Sequence, residues 1–452
     1  MSRHKRERPD GLTGHAMWMT TCLAVRHEPP SPWPPGAPLC IIALAAVALF
    51  AACAPALAAG ELSLADAIQK ALVFAPSAQA AVATADLGAA QVREAEAPFY
   101  PAVSGNIDYY QPTGFSRTIT NGGQSDTLLG LSYTAYDFGR RLAALHASQY
   151  AQEAKRFGLS AVRAQIVFDT SVAYFDLLRK QAATRELQRS LDRLQRYVTI
   201  VRALRRTGRA IANDVLKVET SRDSTELAAE QARQAERQAS VTLGSLIGSP
   251  ESTDLQVAEV SGPAQRPSGS LDRNPMLLAA ERSIQSARQQ VRLAEAAQYP
   301  VFTLDLAAGY LGINPPYTFN HNLGASYDTS VSLPIFQGGA MLARIDQAKA
   351  RQHQAEAAAR AVKIALEHRL ADSRLRYNEA QRQLTLVARS EPTADAAFAL
   401  DWTRFLGGGS VTLLEVLVAY QQAEQFRLRR FDLDFEQRQA AADMNLVYGA
   451  AP

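Results

Sequence analysis

The chain has 452 residues, with 47 Lys and Arg against 44 Asp and Glu, for a formal net charge of +3. It is 47% hydrophobic and 20% charged, with a mean hydropathy of −0.14. The charge balance argues against a nucleic-acid binder, which carries a basic excess, and the hydropathy argues against a polytopic helical membrane protein, which needs repeated apolar runs of about 20 residues.

The first segment, 1–58, reads as an extension and signal peptide. Arg3, Lys5, Arg6, Arg8 and Arg26 precede a Pro-rich run, an apolar run from Leu39 to Ala54, and Ala56-Leu57-Ala58. A basic region, an apolar core of about 15 residues and an A-x-A site (Ala56, Ala58) are the parts of a cleaved export signal. The alternative is an N-terminal membrane anchor, but the run is short for a span. Cys53 is a second alternative, as a lipidation site, although Phe50 stands three before it in place of the usual aliphatic residue. All three cysteines, Cys22, Cys40 and Cys53, lie in this segment. The mature chain is therefore expected to be exported, to lack a thiol, and to depend on packing alone.

A first repeat is expected over 59–252. Two segments of it alternate with period 2. Val103, Ile107 and Tyr109 alternate with Ser104, Asn106 and Asp108; Leu129, Leu131, Tyr133 and Ala135 alternate with Gly130, Ser132 and Thr134. From Arg140 to Arg206 there is no proline and one glycine, Gly158. Good helix formers dominate this stretch. Leu187, Leu191, Leu194, Val198 and Val201 mark a heptad seam. A helix of that length is about 100 Å long, which calls for a coiled-coil or solenoid-like rod. Thr207-Gly208 breaks it, and Ile211 to Leu246 resumes the helical pattern.

A linker at 253–270, rich in Pro, Gly and Ser towards its end, leads to a second repeat over 271–449. Phe302, Leu304, Leu306, Ala308 and Tyr310 alternate with Thr303, Asp305 and Gly309, and Tyr327, Val331 and Leu333 alternate with Asp328, Ser330 and Ser332. Leu342 to Phe405 is helical in pattern, with Leu366, Leu370, Tyr377, Leu384 and Val387 on one track. Pro392 is expected to bend or interrupt it. Gly407-Gly408-Gly409 breaks it, and Val411 to Val447 resumes.

The two halves are copies. Arg93 to Pro101 matches Arg292 to Pro300 at an offset of 199, Ser132 to Gly139 matches Ser332 to Gly339 at 200, and Gly208 with Asp214 matches Gly409 with Glu415 at 201. Such a period is far longer than solenoid repeats. Period-2 alternation is most often half of a soluble sheet. Here each segment is about ten residues with one apolar face, the pattern of a transmembrane barrel strand. Polar loops, Gln111 to Ser125 and Gly312 to Ala325, join the pairs. Four strands cannot close a barrel, whose minimum is about eight, and an open sheet in lipid leaves edge groups unsatisfied. Several chains must then share one barrel, and three copies give twelve strands.

This layout resembles the TolC-type outer-membrane factor family over about Glu61 to Gly449. The resemblance is carried by Leu64-Ala65-Asp66-Ala67-Ile68 with Leu72 and Pro76, by Tyr100-Pro101 and Tyr299-Pro300, and by Leu333-Pro334-Ile335-Phe336-Gln337-Gly338-Gly339. Within that last run Pro334, Phe336, Gly338 and Gly339 look like the family's strand-to-helix motif, and Tyr136-Asp137-Phe138-Gly139 is a weaker copy. The resemblance implies a mainly α fold with a small β part. Long antiparallel coiled-coil helices would form a trimeric α-barrel tunnel, and four strands per chain would enter a shared 12-stranded β-barrel. It also implies a homotrimer in outer-membrane lipid, docked to a periplasmic adaptor (membrane fusion) protein and an inner-membrane ABC or proton-driven transporter. Gly208 and Gly407, Gly408 and Gly409 would be the turns at the periplasmic tip.

The family places acidic residues in the tunnel constriction. Glu415 fills the first such position and Val418 the second, so one ring is expected in place of two. Asp214 is the first-repeat counterpart. A ring of carboxylates favours cations; the plainer alternative for both acids is a helix-start carboxylate favoured by the macrodipole. Val411 replaces the family's basic latch residue.

Enzyme chemistry finds little purchase. His146, His321, His353 and His368 have no histidine partner at i+4, so no helical zinc pair is expected. Gly407-Gly408-Gly409 lacks the Lys-Ser/Thr of a phosphate loop. No cofactor, metal, catalytic residue or nucleic-acid partner is expected. Trp402 reads as a packing residue near the tip. The expected function is a passive exit duct of a tripartite export machine, with type I protein secretion slightly favoured by the weak lipidation site. Multidrug or metal efflux is the alternative cargo. A periplasmic coiled-coil adaptor or structural protein is the alternative class.

Overall fold

The computed structural model describes residues 61–110, 124–262, 264–313 and 323–449. Cys53, Ala56 and Ala58, the signal segment, His321 and the central part of both strand-joining loops lie outside the described residues.

The elements follow the repeat. In the first half, α1 (Leu64–Phe74) and α2 (Pro76–Glu96) lead to β1 (Ala102–Tyr110) and β2 (Gln124–Tyr136), then to α3 (Arg140–Arg206) and α4 (Ala212–Leu246). In the second half, α5 (Pro275–Ala296) leads to β3 (Val301–Ile313) and β4 (Leu323–Ser332), then to α6 (Ala340–Leu406) and α7 (Leu413–Tyr448). Local chemistry sets these boundaries. The Ser63 hydroxyl accepts from the Asp66 N–H to cap α1, and the Asn274 carboxamide accepts from the Met276 and Leu277 N–H groups to cap α5. Pro76 and Pro275 sit in the first turn, where no N–H is needed. β4 ends at Ser332, before the expected Leu333, because Pro334 has no N–H for a ladder.

Both long helices have 67 residues. The heptad seam of α3 is buried throughout: Leu187, Leu191, Leu194, Val198 and Val201. On α6, Leu366, Leu370, Tyr377 and Val387 are buried, while Leu384 is half-buried. α3 packs on α2, α4, α5 and α7, and α6 packs on α5 and α7. The α6 helix continues through Pro392, so of the bend or interruption expected there the interruption does not occur. The lost i→i−4 bond costs about 3 kcal/mol in a helix interior. Contacts from α7 flank the proline: Arg430 reaches Glu391 at 3.3 Å, and Arg427 pairs with Asp395.

One core centres on Tyr174, fully buried among Ala67, Ala71, Leu177, Leu243 and Val257. Its hydroxyl lies 2.9 Å from the Leu62 carbonyl and 2.7 Å from the Ala258 carbonyl, so it ties the chain entry and the inter-repeat linker to α3. A phenol has one proton, so Tyr174→Phe loses one net hydrogen bond; the Leu62 carbonyl keeps the Ala258 N–H at 3.0 Å, and the Ala258 carbonyl loses the hydroxyl. A cost of about 1–2 kcal/mol is expected in chemical denaturation. Burial pushes the Tyr174 hydroxyl above its ordinary value of 10.0. The unfolded chain therefore ionises first. The stabilisation is present below about pH 10 and is lost as pH rises through the folded value. Tyr174→Phe should show a shallower alkaline loss of stability.

Among the described residues four strands form one antiparallel sheet in the order β1-β2-β3-β4. Its centre joins the repeats, with Leu131 opposite Leu306 and Leu129 opposite Ala308. A bulge at Ala135 shifts the register between Thr134 and Tyr136. One face carries Val103, Ile107, Leu129, Leu131, Leu304, Leu306, Tyr327 and Val331. That face is open in the single chain, with Ile107 82% and Tyr327 83% exposed. The other face sets Asp108 opposite Asp126 and Asp305 opposite Asp328.

Candidate functional site

Each long helix ends in the same backbone device. In the first turn the Gly208 N–H reaches the Arg205 carbonyl at 3.1 Å and the Arg209 N–H reaches the Leu204 carbonyl at 2.9 Å. In the second, the Gly408 N–H reaches Phe405 at 3.2 Å and the Gly409 N–H reaches Arg404 at 2.9 Å. These are Schellman bonds, which place a left-handed residue at the centre. Gly208 (φ +74) and Gly408 (φ +78) fill it. The structural equivalent of Gly208 is thus Gly408, where the sequence alignment paired it with Gly409. The one-residue difference falls inside the second turn, before α7 begins. Gly407 still ends α6 in right-handed geometry.

Both candidate acids start the returning helices. The Glu415 carboxylate accepts from the Thr412 N–H at 2.7 Å and from its hydroxyl at 3.1 Å, and the Glu415 N–H donates back to that hydroxyl at 3.4 Å. This is a capping box. Asp214 accepts from the Ile211 N–H at 3.1 Å. The helix-start role is therefore present at both positions. Glu415 is also exposed, as are Thr412 and Val418, while Asp214 and Val411 are half-buried.

The two turns are tied together. The Arg209 guanidinium donates to the Leu406 carbonyl at the end of α6. Behind them lies a shared core of Leu194, Val198, Val201, Val215, Val218, Leu413, Leu417 and Tyr420. Trp402 packs in it as expected, its ring 4.3 Å from that of Tyr197. Arg202 clamps α3 to α4 through two bonds to Glu219, at 2.9 and 2.6 Å.

A polar layer above this core was not singled out in the sequence. The buried Glu186 carboxylate accepts from Arg193 at 2.7 Å and from Arg427 at 3.4 Å. Tyr420 and Glu424 of α7 both hydrogen-bond the Ser190 hydroxyl of α3. Burial works against the Arg193 cation, but bonds to Tyr420 and Glu186 outweigh it and hold its pKa above the ordinary value. Burial likewise pushes the Tyr197 hydroxyl up. The available signal was spacing: Glu186 and Arg193 are seven residues apart, beside the heptad seam.

The strand-to-helix joints also match between repeats. Gly338 (φ +58) and Gly339 (φ +82) are left-handed, as are Phe138 (φ +52) and Gly139 (φ +84). Phe138 adopts this costly conformation while stacking on Tyr299 at 5.4 Å and meeting Tyr136 at 4.8 Å. In that joint Asp137 accepts from the Arg141 N–H at 2.8 Å and from its side chain at 3.0 Å. Arg141 in turn donates to the Pro98 carbonyl at 2.9 Å. Pro334 is half-buried and Phe336 is 85% exposed. Among the described residues no group of three or more His, Cys, Asp or Glu side chains is placed to hold a metal ion.

Comparison with protein families matches residues 67–249 and 267–450 to the family described as outer membrane efflux protein. Among curated proteins, the chain is 27% identical over 399 residues to the pyoverdine export outer membrane protein OpmQ of Pseudomonas aeruginosa, covering 80% of this chain and 81% of OpmQ. It is also 27% identical over 316 residues to protein CyaE of Bordetella pertussis, covering 66% of this chain and 65% of CyaE. Among solved structures, the outer membrane protein VceC of Vibrio cholerae superposes with a TM-score of 0.75 at 21% identity, over 86% of this chain and 96% of VceC; at that identity the likeness is one of fold. The chain belongs to the outer membrane efflux protein family, outer-membrane channels that transport and catalyse no reaction.

Proposed function

We propose that this chain is one protomer of a homotrimeric exit duct in a tripartite export machine. Twelve strands from three copies would close one barrel in the outer membrane, and the long helices would line a tunnel across the periplasm. The carrying observation is the four-stranded sheet with one exposed apolar face. Its edges, unpaired among the described residues, are untenable in lipid unless other copies pair with them. Directly opposed aspartates on the other face fit a water-filled lumen, since like charges opposite one another are destabilising where water does not screen them. Helices of 67 residues span about 100 Å, enough to reach a periplasmic adaptor and, beyond it, an ABC or proton-driven transporter.

The tip turns form the periplasmic end, and three Glu415 carboxylates form one anionic ring there. Asp214 adds charge behind it. Single-channel conductance tests the ring. Glu415→Gln keeps a side chain able to accept from Thr412 but removes the charge, and should lower cation selectivity and divalent block. Unchanged selectivity would sink the assignment.

Two cargo readings have support. The weak lipidation site at Cys53 favours type I protein secretion. The relative OpmQ, named for pyoverdine export, favours small-molecule efflux. A deletion strain separates them: loss of a protein from the culture medium supports secretion, and increased sensitivity to small toxic compounds supports efflux.

A further inference from the structure

We infer the register with which neighbouring copies pair their edge strands; the inference rests on the homotrimeric reading above. β1 and β4 are the two edges of the sheet, each paired on one side among the described residues. The sheet already contains the join that two copies would need. Its β2–β3 seam connects the end of one repeat's strand pair to the start of the next. A β4–β1 seam between copies is the same join, made between the second repeat of one chain and the first repeat of another.

Repeat equivalence turns that likeness into residue pairs. Ala102 faces Ser132 in the first pair of strands and Val301 faces Ser332 in the second. β1 and β3 therefore correspond at an offset of 199, and β2 and β4 at 200, the same offsets that the sequence duplication carries. Within the chain, Ser132 faces Asp305, Leu131 faces Leu306 and Gly130 faces Ala307. Carried to the edges, Ser332 faces Asn106 of the partner subunit, Val331 faces Ile107 of the partner subunit, and Ser330 faces Asp108 of the partner subunit.

Two further features of the strands agree with this register. The first is face parity. The register sets exposed Val331 against exposed Ile107 of the partner subunit, and polar residues against polar ones. A slip of one residue would oppose Ile107 to a serine and turn one strand's apolar set to the wrong face. The second is Pro334. Its counterpart Thr134 is the last residue before the bulge in the β2–β3 seam. Pro334 has no N–H, so the inter-copy ladder stops where the internal one breaks step.

Disulfide trapping tests the register. Ser332→Cys with Asn106→Cys in one chain places both halves of each seam in every copy. Directly opposed residues have Cα atoms about 4.5–5.5 Å apart, inside the range a disulfide spans. Residues two positions off register are about 7–8 Å apart. The expected result is an oxidised covalent trimer from this pair and from Val331→Cys with Ile107→Cys. The single variants, and Ser332→Cys with Ser104→Cys or Asp108→Cys, should stay uncrosslinked. Preferential trapping of a shifted pair overturns the register and leaves the trimer standing. No trapping in a particle that still contains three copies also overturns the register. No trapping in a particle of one copy overturns the homotrimer itself.

Discussion

Tyr420→Ala should destabilise the helical tip by about 3–5 kcal/mol, the range for removing a buried aromatic side chain. Tyr420 is 1% exposed. Its ring meets Phe398 at 5.2 Å and Tyr197 at 6.1 Å, edge to face in both cases. The Arg193 guanidinium lies 5.9 Å from the ring centre. Alanine removes that aromatic core and also strips the hydroxyl from Ser190 and Arg193, leaving part-buried polar groups short of partners. The loss falls where α3, α6 and α7 meet, so the tip should loosen as a unit. Tyr420→Phe keeps the ring and should cost only about 2 kcal/mol, the net worth of the hydroxyl's bonds with Ser190 and Arg193 at about 1 kcal/mol each. Thermal unfolding of the detergent-extracted protein, followed by helical circular dichroism, separates the two. Equal losses in both variants would mean that the ring packing contributes nothing.

Gly309→Ala should disrupt the sheet at its centre. A Cβ at Gly309 would lie 2.0 Å from the Thr127 carbonyl oxygen and 2.9 Å from the Leu128 Cα. Both are backbone atoms, so β2 and β3 must separate. Overpacking of this kind costs about 1–3 kcal/mol, and lost ladder bonds between the repeats add to it. Gly324 is directly opposite on β4 and has nothing within 4 Å of its ideal Cβ position. Gly324→Ala is therefore the matched control. Heat-stability of the assembled particle on gels should fall for Gly309→Ala and hold for Gly324→Ala.

Much of the fold was legible because it repeats and because its helices are long. The Arg140–Arg206 boundaries were readable from composition, since a glycine turn and a strand end bracket a stretch of helix formers without proline. The alternating segments gave all four strands and the face each residue occupies. Pro392 does not interrupt α6, and local propensity does not register the contacts that Arg427 and Arg430 make from α7 with Asp395 and Glu391. The equivalence of Gly208 with Gly408 was hidden as well. Three consecutive glycines look alike in sequence, and only the backbone bonds choose the left-handed one. At the site, Glu415 and Asp214 were legible as helix-start acids. The Arg209 bond to Leu406 and the bonds from Glu186 and Ser190 to α7 were not, because they join residues 197 to 241 positions apart whose meeting depends on how the helices pack.

Three copies are proposed to share one barrel. Native mass measurement of the particle extracted from the outer membrane tests it most directly. Three chains per particle is the expected result. A membrane particle containing one chain, with its four strands left as an open sheet, would contradict it.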